Sequence, residues 1–136
     1  KRTADAKWQG DLKSGSGAIS TASGVLASTP YSFHTRFENA QGTNPEELMA
    51  AAHAGCFSMK LSFVLGAAGF EPAAIETQCT ITLENGAITN SHLNLKATVP
   101  GIGKEAFDKC VDEAAKTCPV SKSLNTNITH ESVLNS

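Results

Sequence analysis

With 136 residues the chain has the length of one domain, and a single domain over 1–136 is expected, burying about two thirds of the surface its unfolded form would expose. Eleven basic residues against 13 acidic ones leave a net charge of −2, and no basic run or aromatic-basic interleaving follows a phosphate backbone, which argues against nucleic acid as a partner. The opening KRTADAKWQG lacks the apolar core of a signal peptide, so a cytoplasmic protein is expected; its four cysteines, Cys56, Cys79, Cys110 and Cys118, then read as inert or catalytic thiols rather than as a disulfide framework.

The N-terminal third alternates apolar and polar residues between turn signals. AKWQGDLK, GAISTASGVLAST and, after Pro30, YSFHTRF predict three strands of an antiparallel meander. A helix is predicted near 45–66. Asn44 can cap it, Pro45 has the preset φ of a first helical position, Glu47 completes a capping-box pattern, and Glu46 and Glu47 suit the positive end of the macrodipole. From Leu48 to Leu65 the clearly polar side chains are His53, Ser58, Lys60 and Ser62, so this helix calls for burial on every side. His53 and Lys60 interrupt the apolar run, and no aromatic belt or basic flank accompanies it, which argues against a membrane span. A chain this short wraps a central helix most simply by pairing with a second copy, so a homodimer is expected.

AAIETQCTITLENGAITNSHLNLKATV predicts two strands joined at Asn85-Gly86, residues that tolerate the positive φ of a type I′ turn. A second helix near 104–117 aligns Phe107, Cys110 or Val111, Ala114 and Cys118 on one face, and Pro119 predicts a break at Cys118. A last strand is predicted in NITHESVL. The element order indicates an α+β fold with helices packed on antiparallel sheet.

Cys79 and Cys110 read as packing residues. Cys56 stands three residues after His53 and four before Lys60, on their side of the helix, where a cation lowers a thiol pKa; packing roles for His53 and Lys60 remain equally open at this level. Cys118, at a helix break, has backbone freedom to move its sulfur. His53 and Cys56 have a His-x-x-Cys spacing, but two ligands do not make a zinc site, so neither metal nor cofactor is expected.

The runs PYSFHTRFE, GTNPEELMAAAHAGCFSMKLSF, VPGI and CPVSKSL, in that order and after the opening WQGDLKSGSGAISTASGVL, resemble the OsmC/Ohr family of organic hydroperoxide reductases, its OsmC branch in particular. The resemblance implies a thiol-dependent peroxidase in which Cys56 is the peroxidatic cysteine and Cys118 resolves its sulfenic acid as a disulfide. It further implies that Arg36 and Glu46 belong to the site. The implied fold is an intertwined homodimer, with swapped antiparallel sheets around two central buried helices and active sites at the interface. An organic hydroperoxide is the implied substrate and an external dithiol, of lipoyl type especially in the Ohr branch, the implied reductant. Glu46 and Cys56 are ten residues apart on one predicted helix, about 15 Å along its axis, so joint service to one site calls for two chains.

Two positions depart from the usual pattern: Gly55, where alanine commonly precedes the cysteine, and Lys60, where a small residue is frequent. Gly55 is expected to loosen the helix by up to about 1 kcal/mol relative to alanine. Two other readings compete. One is a non-catalytic protein on the same fold that binds an apolar ligand or serves a structural role under stress; the other is a zinc-dependent hydrolase.

Overall fold

A computed structural model describes residues 1–135, organised as two compact units, residues 1–48 and the chain from residue 49 onward.

In the first unit, β1 (Ala4–Gln9), β2 (Ser16–Thr21) and β3 (Thr29–Tyr31) form the expected antiparallel meander in that order. Gly17 of β2 lies between Trp8 and Tyr31 in register, and a Cβ there would come within 2.4 Å of the Tyr31 ring and 2.7 Å of Trp8. Only glycine therefore admits the cross-strand aromatic pair, whose ring centroids stand 5.5 Å apart. The expected third strand, YSFHTRF, is corrected. It stays extended only through Tyr31 and then turns into helix α1 (Phe33–Phe37). Ser32 caps α1 reciprocally: its Oγ accepts from the Thr35 N–H at 3.3 Å, and its own N–H donates to Thr35 Oγ1 at 2.7 Å. Phe33 and Phe37, four residues apart, then pair at 4.9 Å, a contact that helical spacing allows.

Helix α2 (Pro45–Ala67) begins where expected. Asn44 Oδ1 accepts the Glu47 N–H at 2.7 Å. The Glu47 carboxylate instead accepts from the Thr43 hydroxyl at 2.8 Å, so the predicted capping box is only half made. Gly55 leaves α2 unbroken, and a Cβ there would meet nothing within 4 Å.

In the second unit, β4 (Ala74–Glu84) and β5 (Ala87–Thr98) form the predicted hairpin, with φ of 50° at Asn85 and 78° at Gly86. Helix α3 (Lys104–Thr117) and the short helix α4 (Pro119–Ser123) follow, then β6 (Asn127–Asn135). The expectation of purely antiparallel sheet fails here, because β6 pairs parallel to β5. A two-helix connection brings the chain back across the sheet, and such a crossover is what a parallel neighbour requires.

The core of this unit lies between the sheet and the helices. Phe57, Leu61, Val64 and Leu65 of α2 meet Leu93, Leu95 and Ala97 of β5 and Phe107, Val111 and Ala114 of α3, all buried. Burial of α2 on every side is not found within one chain, for Met59 and Phe63 on its other face are 78% and 68% exposed.

Phe57 is fully buried, so Phe57→Ala is expected to cost about 3–5 kcal/mol in denaturant unfolding. Val25→Ala, at a position 84% exposed, should stay within about 0.5 kcal/mol of the parent.

Candidate active site

The second unit brings two of the four expected site residues together. Cys56, half-buried on α2, and Cys118, fully buried at the α3–α4 junction, are free thiols packed into the same core. Cys118 is the break predicted from Pro119: its φ and ψ of −56° and 129° end α3, and the chain re-enters a helix one residue later.

A buried imidazole beside the pair fixes this register. His53, three residues before Cys56, has no solvent exposure, and both ring nitrogens are partnered by hydroxyls. Nδ1 lies 2.6 Å from Ser91 Oγ on β5, and Nε2 lies 2.7 Å from Ser121 Oγ on α4, three residues after Cys118. The His53–Ser121 and Cys56–Cys118 pairings are thus two rungs between α2 and the α3–α4 junction. Ser91 Oγ also lies 3.2 Å from Cys79 Sγ, so Cys79 terminates a polar chain and is more than the packing residue expected. No metal can take a nitrogen of this ring without displacing a hydroxyl, which argues against the zinc reading.

The electrostatics divide the pair. Burial pushes the Cys56 thiol above its ordinary value, and donation to Cys118 pushes it the same way; the Val120 N–H and the Lys60 cation only offset part of this. Of the two roles the sequence left open for Lys60, its ammonium lies over the Phe63 ring, 4.9 Å from the centroid, and its lowering effect is the smallest of those acting on the Cys56 sulfur. Burial opposes a Cys118 thiolate too. There the Cys56 thiol, the N–H and hydroxyl of Ser121 and the Val120 N–H outweigh it, and Cys118 lies below its ordinary value. Of the two thiols, Cys118 is therefore the more readily ionised.

The other two expected residues meet in the first unit. Arg36 of α1 donates from Nε to Glu46 Oε1 at 2.8 Å, and its Nη2 lies 2.7 Å from the same oxygen. The Glu46 side chain is 13% exposed and the Arg36 side chain 40%, so the carboxylate anchors a guanidinium whose remaining donors face outward. Beside it a groove of about 140 Å³ is lined by Trp8, Leu12, Tyr31, Phe33, Phe37 and Arg36. The sequence marked Arg36 and Glu46 only through the family resemblance. It left the His53–Ser91–Ser121 network unmarked, since its members lie 38 and 68 residues from His53.

Two thiols packed into one core, on a helix-over-sheet scaffold, make this an α+β protein, and the comparisons place it more narrowly. The family described as OsmC-like protein matches residues 38–133. The peroxiredoxin OsmC of Escherichia coli (strain K12) is 50% identical over 128 residues, covering 91% of this chain and 90% of the relative. Among solved structures, the organic hydroperoxide resistance protein OhrB of Bacillus subtilis superposes with a TM-score of 0.65 at 26% identity, covering 98% of each chain. An OsmC-like protein from Mycoplasma pneumoniae gives 0.76 at 14% identity over 100% of this chain and 98% of its own, a likeness of fold. The chain belongs to the OsmC family, as its motifs led one to expect.

Burial holds His53 below its ordinary value of 6.5, so the folded state resists protonating it. The unfolded chain takes up that proton more readily, so this contribution to stability is complete above pH 6.5 and declines as the pH falls toward the lower folded value. Unfolding free energy measured from pH 8 to 5 should therefore fall more steeply in the parent than in His53→Gln.

Proposed function

We propose that the chain is a thiol-dependent peroxidase that reduces organic hydroperoxides to alcohols, with Cys56 as the peroxidatic and Cys118 as the resolving cysteine. The observation that carries this reading is the Cys56–Cys118 pair itself, one sulfur half-buried and reachable, the other enclosed at a helix break. Membership of the OsmC family supports it, since relatives carry the names peroxiredoxin and organic hydroperoxide resistance protein.

In the first step the Cys56 sulfur, once deprotonated, attacks the distal oxygen of ROOH. The O–O bond breaks, Cys56 becomes a sulfenic acid, and the departing alkoxide takes a proton to leave as ROH. Cys118 then attacks the Cys56 sulfur as a thiolate, the S–S bond forms, and the expelled hydroxide is protonated to water. An external dithiol, of lipoyl type, returns both thiols and is itself oxidised to a disulfide. Arg36, anchored by Glu46, has guanidinium donors free to bind the peroxide oxygens and to favour the Cys56 thiolate. The aromatic groove beside it suits the organic part of the substrate.

The working unit in this reading is an intertwined homodimer with swapped sheets, in which Arg36 and Glu46 of one protomer serve Cys56 of the other. Two features support it. The exposed face of α2 carries Met59 and Phe63 between small residues, and the first unit has no apolar core of its own: its buried residues are Thr35 and Thr43. A three-stranded sheet open on both faces needs a surface to cover it.

Thiols counted before and after one equivalent of cumene hydroperoxide, with the link mapped by peptide mass, test the chemistry. Two thiols lost per chain and a Cys56–Cys118 disulfide are expected; unchanged thiols in folded protein would sink the peroxidase reading. Shared sites are tested by mixing inactive Cys56→Ser and Arg36→Ala chains one to one. Sites built from two chains restore about a quarter of parent activity, because half of the dimers are mixed and each carries one intact site. No recovery would place both residues in one chain.

A further inference from the structure

The peroxidase reading leaves unused a second polar contact between α2 and the sheet, this one beside Cys56 itself. Ser58 Oγ lies 2.8 Å from the Ala54 carbonyl, one turn back, and 2.7 Å from Thr77 Oγ1 on β4. Thr77 points inward, for it is half-buried between the exposed Glu76 and Gln78. A flank that needed only packing would be served there by valine, which has the shape of threonine and suits a strand as well.

Counting donors gives the contact its direction. Ser58 has one hydroxyl proton and donates it to the Ala54 carbonyl, so its oxygen accepts from the Thr77 hydroxyl. The tie to the sheet is therefore made by Thr77, and it falls on the turn of α2 that holds Cys56. Successive residues of an α-helix stand about 100° apart around the axis. Phe57 is fully buried and faces the core, so its neighbours Cys56 and Ser58 lie on opposite flanks of α2. Rotation about the helix axis lowers one flank as it lifts the other. His53 pins the buried face through Ser91 on β5, and the tie at Ser58 stops α2 from rolling about that pin.

We infer that Thr77 is a positioning residue for Cys56: by holding the Ser58 flank of α2 down on β4, it keeps the Cys56 flank turned outward, so that this sulfur stays half-buried and within reach of a substrate. Without the Thr77 hydroxyl, the Ser58 oxygen regains a donor by moving toward water, on the side where Ser62, one turn on, is exposed. The same rotation turns Cys56 inward. The action is mechanical, carried by a rigid helix over two residues, and needs no change of charge at any sulfur.

The inference deepens the peroxidase reading, on which its catalytic meaning rests, and two readouts separate their fates. In the reduced protein, well below the unfolding temperature, iodoacetamide alkylation of each cysteine is timed by peptide mass, which needs no peroxide. After a pulse of cumene hydroperoxide, dimedone traps the sulfenic acid, and its rate of formation is followed. In Thr77→Val both rates at Cys56 are expected to fall about threefold or more, the range set by one net hydrogen bond, while Cys110 and Cys118 keep theirs. Thr77→Ser, which keeps the hydroxyl, should restore both rates, and Thr80→Val, the same change at an exposed position of β4, should leave them alone. Ser58→Ala, which removes the tie from the helix side, should act as Thr77→Val does and decides the matter if that variant does not fold. A residue that merely stabilises the fold has the opposite signature, since loosening the structure speeds alkylation of every enclosed thiol. Unchanged Cys56 rates in the folded variant, or faster alkylation of Cys56, Cys110 and Cys118 together, overturn the inference. A parent that yields no sulfenic acid and no disulfide defeats the peroxidase reading instead, and the alkylation rates still decide whether Thr77 sets the reach of Cys56.

Discussion

Burying an imidazole between a helix and a sheet is the constraint on which the thiol pair depends. Water cannot reach His53, so each of its nitrogens needs a protein partner, and leaving one unpaired would cost on the order of 1–3 kcal/mol. Those partners come from β5 and from α4, elements far apart in the chain. Satisfying them sets how far α2 is slid and rotated over the sheet, and where α4 starts relative to α2. Because Cys56 follows His53 by three residues and Cys118 precedes Ser121 by three, the same setting faces one sulfur with the other. Apolar burial of Phe57, Leu61, Val64 and Leu65 supplies most of the driving force for packing α2, but it tolerates small displacements that a doubly hydrogen-bonded ring does not.

Charge and burial compete at Cys56, and burial wins. A lysine four residues on is placed where it could draw out a thiolate, since opposite charge nearby favours ionisation. Its ammonium rests over Phe63, while the sulfur sits against the core. The consequence is a division of labour within the pair. The reachable sulfur is the harder of the two to ionise, so Cys56 stays comparatively unreactive until something further stabilises its thiolate. In the proposed dimer that is Arg36. A nucleophile completed only by assembly and substrate is protected from indiscriminate oxidation.

What could be read from the sequence divides along the distance over which each determinant acts. The start of α2 follows from Asn44 and Pro45, the hairpin from Asn85-Gly86, and the break after α3 from Pro119, all signals confined to a few residues. The short helix α1 escaped notice because alternation in YSFHTRF matches a strand as well as it matches a helix with Phe33 and Phe37 four apart. Only the Ser32–Thr35 capping box decides between them. The parallel placement of β6 was equally invisible, since a strand's direction depends on the route taken by the crossover before it. Arg36 and Glu46 could be named by family resemblance, whereas no local pattern announces that Ser91 and Ser121 will meet one histidine. Cys79 looked inert for the same reason.

The first unit states the opposite case, a segment whose sequence is locally consistent yet which lacks the means to hold itself. Its strands register correctly and Gly17 makes room for the Trp8–Tyr31 pair, but β1 is exposed along its whole length, and Trp8, Leu12 and Phe37 all present apolar surface to water. Apolar area of this kind contributes roughly 25 cal/mol per Å² once covered, and nothing while it stays open. The unit that carries Arg36 and Glu46 therefore gains its rigidity from whatever surface it is laid against. In the proposed homodimer that surface belongs to the second copy, so the same burial that secures the dimer also fixes the guanidinium where the peroxide is to be held. Stability of association and alignment of the site then rise and fall together, and a substitution that loosens the arm would act on catalysis without touching either sulfur.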